Sequence, residues 1–302
     1  SQSHRPEGRG LASNSQSHVT YVWFDALINY ISAVGEFDSQ NIYRSLWWQK
    51  DVKVVHLVGK DILRHHAIYW PIILEALGIR QPDTIFAHGW WMINQDKMSK
   101  SRGNAVNPVD LVNKFGVDVY RYFLLRDVPF GSDGNFSEEA IIKRFNGDLA
   151  NDLGNLLYRT LTMVEKHCSG MVPELNIYEK KFDASGEMIK DKIKNLHQAV
   201  DAPLSLNNDF SLALEKIWEC IGITNKYVEE TKPWNLVKEG RQGELAGFMR
   251  LLVDAIRMIG EEIAPFMPKT AESIFQQAGG EKIKKGRHLF LRYWHKWGIR
   301  RR

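Results

Sequence analysis

Short apolar runs alternate with helix-like stretches over the first third of the chain. Three runs rich in β-branched and aromatic residues predict strands: VTYVWFD (19–25), DVKVVHLVG (51–59) and TIFAHGWWMI (84–93). Two stretches with apolar residues at three- and four-residue spacing predict helices: ALINYISAVG, ending at Gly35, and residues 62–77, followed by Gly78 as a C-cap. This order is typical of a parallel α/β sheet, whose ligands bind at the C-terminal ends of the strands.

Helical periodicity dominates after residue 104. Two short helices are predicted over residues 107–116 and 117–127, and Ser137 is a predicted N-cap with acidic residues in the turn that follows. Apolar residues then recur at three- and four-residue spacing in three longer segments: 149–164, 214–228 and 245–263. These segments predict three or four amphipathic helices packed as a bundle, with residues 174–187 as a loop inside it.

The composition is that of an ordinary globular protein, with 44% hydrophobic and 25% charged residues among 302. No apolar run approaches the roughly 18 residues that cross a bilayer, and residues 1–18 lack the apolar core of a signal peptide. Two cysteines without a CxxC pair argue against a disulfide scaffold or a cysteine zinc site. We therefore expect a cytoplasmic protein without a membrane partner. The net charge of +4 is compatible with a polyanionic partner but does not require one.

The string KMSKSRGN (97–104) places two lysines, Lys97 and Lys100, on one glycine-containing segment at the end of the last predicted strand. Ammonium groups are compact charges that suit phosphate oxygens. A loop that closes over a triphosphate can stabilise the charge that develops on a leaving pyrophosphate. From charge alone, a solvated basic turn is the alternative interpretation.

Four segments give the chain a family resemblance. They are YVWFDALINYISAVG, HLVGKDILRHHAIYWP, FAHGWWMINQDKMSKSRGN and NDLGNLLYR. Together they resemble class I aminoacyl-tRNA synthetases, and among these the methionyl-tRNA synthetases, from about Val19 to Glu281. Such enzymes join methionine to ATP as an adenylate and then pass the methionyl group to the 3′ end of tRNA. The resemblance implies that the complete protein binds ATP with Mg²⁺, methionine and tRNA(Met).

The resemblance also assigns the predicted elements to domains. The expected fold class is α/β plus all-α, in which the C-terminal portion of a Rossmann-type parallel sheet precedes an α-helical anticodon-binding bundle. The expected domains are a disordered lead (1–18), a partial Rossmann catalytic domain with the KMSKS loop (19–104), a connector like a stem-contact fold (105–144), the helical bundle (145–281) and a basic tail (282–302).

A methionine pocket is implied at five positions: Trp23, Ala26, Tyr30, Ile62 and His66. The first three lie where a predicted strand runs into a helix, and an aromatic face there can contact a polarisable thioether. Ile62 and His66 are four residues apart on one predicted helix face. Ordinary core packing is the alternative interpretation, and the neighbouring His65 is expected to be a bystander.

ATP-binding roles are implied for Gly59, Asp61, His88, Gly89 and Trp91, in addition to Lys97 and Lys100. Gly59 is expected to allow a tight turn beneath the ligand, and Asp61 to accept hydrogen bonds from ribose hydroxyls. His88 and Gly89 are expected beside the adenosine, with backbone groups of Trp91 beside the adenine. Capping of the core by Trp90 and Trp91 together is the alternative interpretation.

Recognition of the CAU anticodon is implied for Asn155, Arg159 and Trp234. Asn155 and Arg159 are four residues apart, so they share one helix face opposite the leucine stripe. An amide and a guanidinium can read unpaired base edges, and a tryptophan can stack on a base. A polar helix surface and a core tryptophan are the alternative interpretation of these residues.

A class I synthetase also needs an earlier half-sheet with a His-Ile-Gly-His-type signature, where ATP phosphates meet a helix N-terminus. No such string occurs in the chain. The acidic residue expected to hold the methionine ammonium and the metal-bearing insertion are missing as well. We therefore expect the chain to be the C-terminal part of the enzyme, inactive or weakly active alone and without a metal site of its own. The oligomeric state stays open.

Two other functions stay open from the sequence. A non-catalytic tRNA-binding module is suggested by the missing ATP-binding half. Another class I synthetase, for leucine, isoleucine or cysteine, is suggested by the lysine loop that these enzymes share. The residues of the implied methionine pocket favour methionine over these other amino acids, and they argue against a long-standing loss of catalysis.

Overall fold

The structure is a computed structural model that describes residues 21–34, 51–93 and 106–293, and the backbone of residues 96–97. The chain divides into two compact units, residues 1–87 and residues 88–302. Among the described helices, none is both long and apolar enough to cross a membrane.

The first unit begins with a helix where the sequence predicts a strand. Helix α1 comprises Val22–Ser32, so the predicted strand at 19–25 is wrong for residues 22–25. The buried residues of α1 are Leu27 and Ile31, which are four positions apart and so share a helix face. The aromatic and β-branched residues ahead of them suit either structure, and burial of this pair decides in favour of the helix.

The remaining elements of the first unit follow the predicted order. They are β1 (Val55–Gly59), a 3-10 turn (Lys60–Ile62), a π-helical turn (His65–Tyr69), α2 (Trp70–Ala76) and β2 (Thr84–His88). Strands β1 and β2 pair in a two-stranded sheet. Gly78, with a φ of 65°, follows α2 as the sequence predicts. The apolar core joins α1 to α2 through four residues: Leu27, Ile31, Trp70 and Leu74.

The predicted strand at 84–93 is in fact two strands in two sheets. The second sheet has the order β4–β3–β5, where β3 is Trp91–Ile93, β4 is Asp96–Lys97 and β5 is Gly134–Asn135. Strand β3 is antiparallel to β4 and parallel to β5. Gly89 explains the break, because a Cβ at this position would lie 2.0 Å from the carbonyl oxygen of Ser132. The backbone passes Ser132 so closely that only glycine fits there.

The second unit is mainly helical, as predicted. Its helices are α3 (Pro108–Phe115), α4 (Val117–Arg126), α5 (Glu138–Arg144), a π-helix (Phe145–Gly154), α6 (Asn155–Cys168), α7 (Ala184–Asn207), α8 (Phe210–Thr231), α9 (Pro233–Lys238), α10 (Gln242–Ile263) and α11 (Pro268–Ala278). Helix α10 is buried along most of its length and packs on α7, α8 and α11. Ser137 caps α5 by accepting a hydrogen bond from the Ala140 N–H, as predicted.

The predicted loop at 174–187 is shorter than expected. Helix α7 begins at Ala184, because the side chain of Asp183 accepts a hydrogen bond from the Gly186 N–H and so acts as its N-cap. The side chain of Glu187 in turn accepts a hydrogen bond from the Phe182 N–H. The two carboxylates form a reciprocal cap that the sequence contains but that hydrophobic periodicity does not reveal.

A buried carboxylate ties the start of α4 to the start of α11. Asp118 is 6% exposed, and its Oδ2 accepts hydrogen bonds from the Thr270 N–H at 2.7 Å and the Thr270 hydroxyl at 2.8 Å. The N–H groups of a first helical turn have no partner inside the helix, so the Asp118 carboxylate satisfies a donor that would otherwise be buried unpaired.

We expect Asp118→Ala to lower the free energy of unfolding by about 1–3 kcal/mol, because it leaves two buried Thr270 donors without an acceptor. Urea unfolding of the full chain measures this change. Asp110→Ala is the matched control, since Asp110 is exposed on α3, and it should change stability by less than about 0.5 kcal/mol. Equal effects of the two substitutions would contradict the role given to Asp118.

Candidate functional site

A buried histidine connects the π-helical turn of the first unit to helix α1. His66 is 1% exposed, its Nδ1 lies 3.0 Å from the carbonyl oxygen of Ile62, and its Nε2 lies 2.8 Å from the hydroxyl of Tyr30. Because a carbonyl oxygen only accepts, Nδ1 is the donor, and in the tautomer that this implies Nε2 accepts a hydrogen bond from the Tyr30 hydroxyl. Burial raises the pKa of Tyr30, so its hydroxyl remains a donor at neutral pH. The hydrogen bonds at its two nitrogens therefore fix the orientation of the His66 ring.

A second buried histidine lies behind Tyr30. His56, on β1, is 6% exposed, and its ring centroid is 4.3 Å from that of Tyr30. The indole N–H of Trp70 donates to His56 Nε2 at 3.1 Å. Burial, and then the proximity of His66, lower the pKa of His56 to about 4. A neutral His56 thus packs against the ring of Tyr30, with its own ring centroid 6.0 Å from that of His66. No sequence motif indicated this role.

We expect the His56 imidazole to stay neutral in the folded chain between pH 7 and pH 5, whereas an ordinary histidine, with a pKa near 6.5, gains a proton in this range. The unfolded chain therefore binds more protons between pH 6.5 and 4, and the His56 contribution to stability falls as the pH is lowered through this window. NMR titration of the His56 C2 proton measures the pKa directly. His56→Gln should weaken the pH dependence of the urea midpoint, and a His56 signal that titrates near pH 6.5 would contradict this account.

The predicted pocket residues of α1 share one helix face. Trp23 stacks on His65, with ring centroids 4.0 Å apart and an interplanar angle of 21°, and contacts His66 edge-on at 6.0 Å. Ala26 is exposed, and it lies between Trp23 and Tyr30 on the helix surface. His65, expected to be a bystander, stacks on Trp23 and so contacts one of the predicted pocket residues. The structure thus brings Trp23 and Tyr30 together with His66 in one aromatic cluster, and Ala26 lies on the same face of α1.

The residues that follow β1 match the prediction only in part. Gly59 has φ −71° and ψ 144°, an extended conformation open to any residue, and the 3-10 turn begins directly after it. The chain therefore turns here as predicted, but the backbone conformation does not require glycine. Asp61 is exposed in the 3-10 turn immediately after Gly59. An exposed carboxylate at the C-terminal end of a strand remains in a suitable place for a hydroxyl-bearing ligand.

His88, the last residue of β2, is the first residue of the second unit, and Gly89 and Trp91 follow it. Nδ1 of His88 is 2.8 Å from the carbonyl oxygen of Gly89 and donates to it. The Trp91 ring packs on Phe123, with centroids 5.4 Å apart, and on Phe136. The side chain of Trp91 therefore belongs to the core of this unit, which leaves only its backbone for a ligand.

Of the two lysines in the KMSKS string, the structure describes only the backbone of Lys97. Lys97 belongs to β4 and pairs with Met92 of β3. Lys100 and the rest of the string, residues 98–104, lie outside the described residues. Across the described ranges, no three histidine, cysteine, aspartate or glutamate side chains cluster in a way that could hold a metal ion.

The predicted anticodon readers lie on α6 and α9. Asn155 and Arg159 are partly buried on α6, and Arg159 Nη1 is 3.6 Å from the carboxylate of Glu229 on α8. Trp234, in the first turn of α9, is 49% exposed, which is high for a tryptophan. Its neighbour Pro233 is buried, so the indole is held at the surface by an anchored turn. The interpretation of Trp234 as a core residue is thereby excluded.

Two family profiles match the chain. The profile described as tRNA synthetases class I (M) covers residues 8–161, and that of the anticodon binding domain of methionyl tRNA ligase covers residues 172–286. The chain belongs to the class I tRNA synthetases of the methionine type.

Individual relatives agree with this membership. A methionine–tRNA ligase of Fusobacterium nucleatum is 47% identical over 266 residues, which is 88% of this chain and 41% of the relative. One from Caldanaerobacter subterraneus is 44% identical over 294 residues, which is 91% of this chain and 45% of the relative. The chain thus spans less than half the length of these curated relatives.

A solved structure of Mycobacterium tuberculosis methionyl-tRNA synthetase in complex with methionyl-adenylate is similar in fold. Its TM-score is 0.81 at 38% identity, and the match covers 90% of this chain and 56% of that one. The Rossmann-like portion and the helical domain predicted from the sequence are consistent with this likeness.

Proposed function

We propose that the chain is the methionine- and tRNA-binding part of a methionine–tRNA ligase that acts in the cytoplasm. The complete enzyme would activate methionine with ATP and transfer it to tRNA(Met). The observation that carries the proposal is the Tyr30–His66 hydrogen bond within the aromatic cluster, because it fixes two polar groups next to an otherwise apolar surface.

In this proposal the aromatic cluster selects the methionine side chain. Trp23 offers its indole to the thioether, with which aromatic rings interact favourably. Ile62 and Ala26 supply small apolar surfaces, and Tyr30 holds His66 in place. A leucine side chain would fill a similar volume but would lack the polarisable sulfur.

The proposed chemistry is attack by the methionine carboxylate on the α-phosphorus of ATP, with cleavage of the bond to pyrophosphate. Lys97 and Lys100 would stabilise the negative charge that develops on the departing pyrophosphate, and Mg²⁺ would accompany the ATP. Contacts to the nucleoside are proposed for the remaining predicted residues: Gly59, Asp61, His88, Gly89 and the backbone of Trp91.

The larger unit would bind the CAU anticodon of tRNA(Met). Trp234 has the exposed flat surface that base stacking requires. Asn155 and Arg159 lie on one face of α6 and offer donors to unpaired base edges. The exposed partner of Arg159, Glu229, holds the guanidinium only weakly, so a base can compete for it.

Methionine-dependent exchange of pyrophosphate into ATP tests the proposal. The assay requires an enzyme of the relatives' full length that contains this chain's sequence. We expect exchange with methionine and background exchange with leucine, isoleucine and cysteine. Exchange driven by one of these three amino acids would contradict the methionine assignment, and no exchange with any amino acid would favour a non-catalytic tRNA-binding role.

A further inference from the structure

The last described segment, Ile283–Tyr293, forms a strap along the second unit. The Ile283 N–H donates to the Gly170 carbonyl at 2.9 Å, just beyond the end of α6. At the other end, the Tyr293 N–H donates to the side chain of Asn146 at 2.7 Å, in the π-helix that precedes α6. The strap therefore runs antiparallel to the helical stretch that carries Asn155 and Arg159, and its net charge is positive.

Two side chains fix the strap to the face of α6. His288 stacks on Tyr158, with ring centroids 4.0 Å apart and an interplanar angle of 22°. The ammonium of Lys285 lies 4.6 Å from the centroid of the same ring and 3.5 Å from the carboxylate of Glu165. These contacts place a cation of the strap beside the helix surface rather than in open solvent.

The geometry of α6 relates this cation to the predicted anticodon readers. At about 100° per residue, Arg159 lies about 40° to one side of Asn155, whereas Tyr158 lies about 60° and Glu165 about 80° to the other side. Helix α8 approaches on the side of Arg159, through Glu229. Asn155 therefore lies on a helix face between α8 and the strap.

We propose that the strap is an RNA-binding wall, on which Lys285 binds backbone phosphates of the nucleic acid whose bases are read on α6. This inference rests on the proposed function. Its basis is charge complementarity: a fixed ammonium at the edge of a base-reading face suits a phosphodiester, as contacts to phosphates position an RNA while contacts to bases specify its sequence. A protein partner is less suitable than RNA, because the strap carries cations that suit phosphates and the adjacent face of α6 carries the side chains proposed to contact bases.

The ion pair with Glu165 gives Lys285 an alternative partner when RNA is absent. Glu165 is 58% exposed, and an exposed carboxylate holds an ammonium only weakly. A phosphate can therefore replace it. Removal of the Glu165 charge should strengthen RNA binding, whereas removal of the Lys285 charge should weaken it.

The experiment measures the dissociation constant of the full chain for a CAU anticodon stem-loop at several salt concentrations. We expect Lys285→Gln to weaken binding about three- to tenfold at 0.1 M salt and to reduce the salt slope by about 0.7, the value for one phosphate of a single strand. Glu165→Gln should strengthen binding about twofold. Lys269→Gln is the control, because it removes the same charge from an exposed position on α11 and should change neither quantity.

Equal losses in Lys285→Gln and Lys269→Gln would show a general effect of net charge and would overturn the proposal. Weaker binding in Glu165→Gln would also overturn it, since the ion pair would then serve only to hold the strap. A stem-loop with a scrambled anticodon separates this proposal from the function on which it rests. Equal affinity of the unaltered chain for both RNAs contradicts anticodon reading, while the comparison of the two lysine variants still decides the role of the strap.

Discussion

Replacing Trp234 by alanine is expected to weaken binding of a CAU anticodon stem-loop to the chain by about 5- to 140-fold, the equivalent of about 1–3 kcal/mol for one stacked base. The physical reason is the position of the indole, which is 49% exposed on a turn anchored by the buried Pro233. Because half of the indole is exposed, shortening this side chain should lower the stability of the folded chain only a little. The loss should therefore appear in RNA affinity and not in the unfolding midpoint.

Two variants make this expectation specific. Trp234→Phe keeps a flat ring and should retain most of the affinity. Asn155→Ala should instead reduce the preference for CAU over other anticodons, because an amide reads base edges whereas stacking accepts any base. Filter binding with both RNAs separates the two effects. A Trp234→Ala chain that binds as tightly as the unaltered one would remove Trp234 from the site.

Replacing His66 by alanine is expected to raise the KM for methionine in pyrophosphate exchange by about 5- to 140-fold in an enzyme of full length. His66 is 1% exposed and accepts the hydrogen bond of the Tyr30 hydroxyl. In the proposed pocket, its removal takes away a side chain that contacts methionine and positions Tyr30, so we expect the binding of methionine to lose about 1–3 kcal/mol. Tyr30→Phe removes the same hydrogen bond but keeps both rings, so its effect should be smaller.

The matched control for His66 is its neighbour. His65→Phe keeps an aromatic ring to stack on Trp23, so it should change the KM for methionine by less than about threefold. An increase in KM with little change in kcat would indicate that His66 contributes to binding of methionine and of the transition state alike. Equal kinetics of the His66→Ala enzyme and the unaltered enzyme would remove His66 from the methionine pocket.

Periodicity predicted the helical character of the larger unit and three of its long helices, α6, α8 and α10, but it did not single out α7 or α11. It predicted the first unit less well, for a physical reason. In the helical unit, apolar residues repeat at the same spacing over long stretches. The start of α5 was also predictable, because a serine followed by acidic residues is a known N-cap pattern and Ser137 does cap this helix. At residues 22–25, a short run of aromatic and β-branched residues suits a strand or a helix, and burial of Leu27 decides between them. The break at Gly89 depends on Ser132, which is 43 positions away and which no local pattern reveals.

The candidate site shows the same division. The family resemblance implied that Tyr30 and His66 share one pocket, and the structure shows a hydrogen bond between them that the resemblance did not specify. His56 was missed because its role depends on burial and on Trp70, and a single buried histidine gives no sequence signal. The two π-helical segments were also missed, although one carries His66 and the other ends directly before Asn155. Such segments are frequent at functional sites, and they look like ordinary helix in a sequence.

The affinity of the unaltered chain for CAU and for scrambled anticodon stem-loops of equal composition tests the central claim most directly. The larger unit contains the residues proposed as anticodon readers, so the measurement needs only the chain itself. We predict that the CAU stem-loop binds at least about tenfold more tightly, since one base-edge contact contributes about 1–3 kcal/mol of discrimination. Equal affinity for the two RNAs would contradict the assignment of Asn155, Arg159 and Trp234 as anticodon readers.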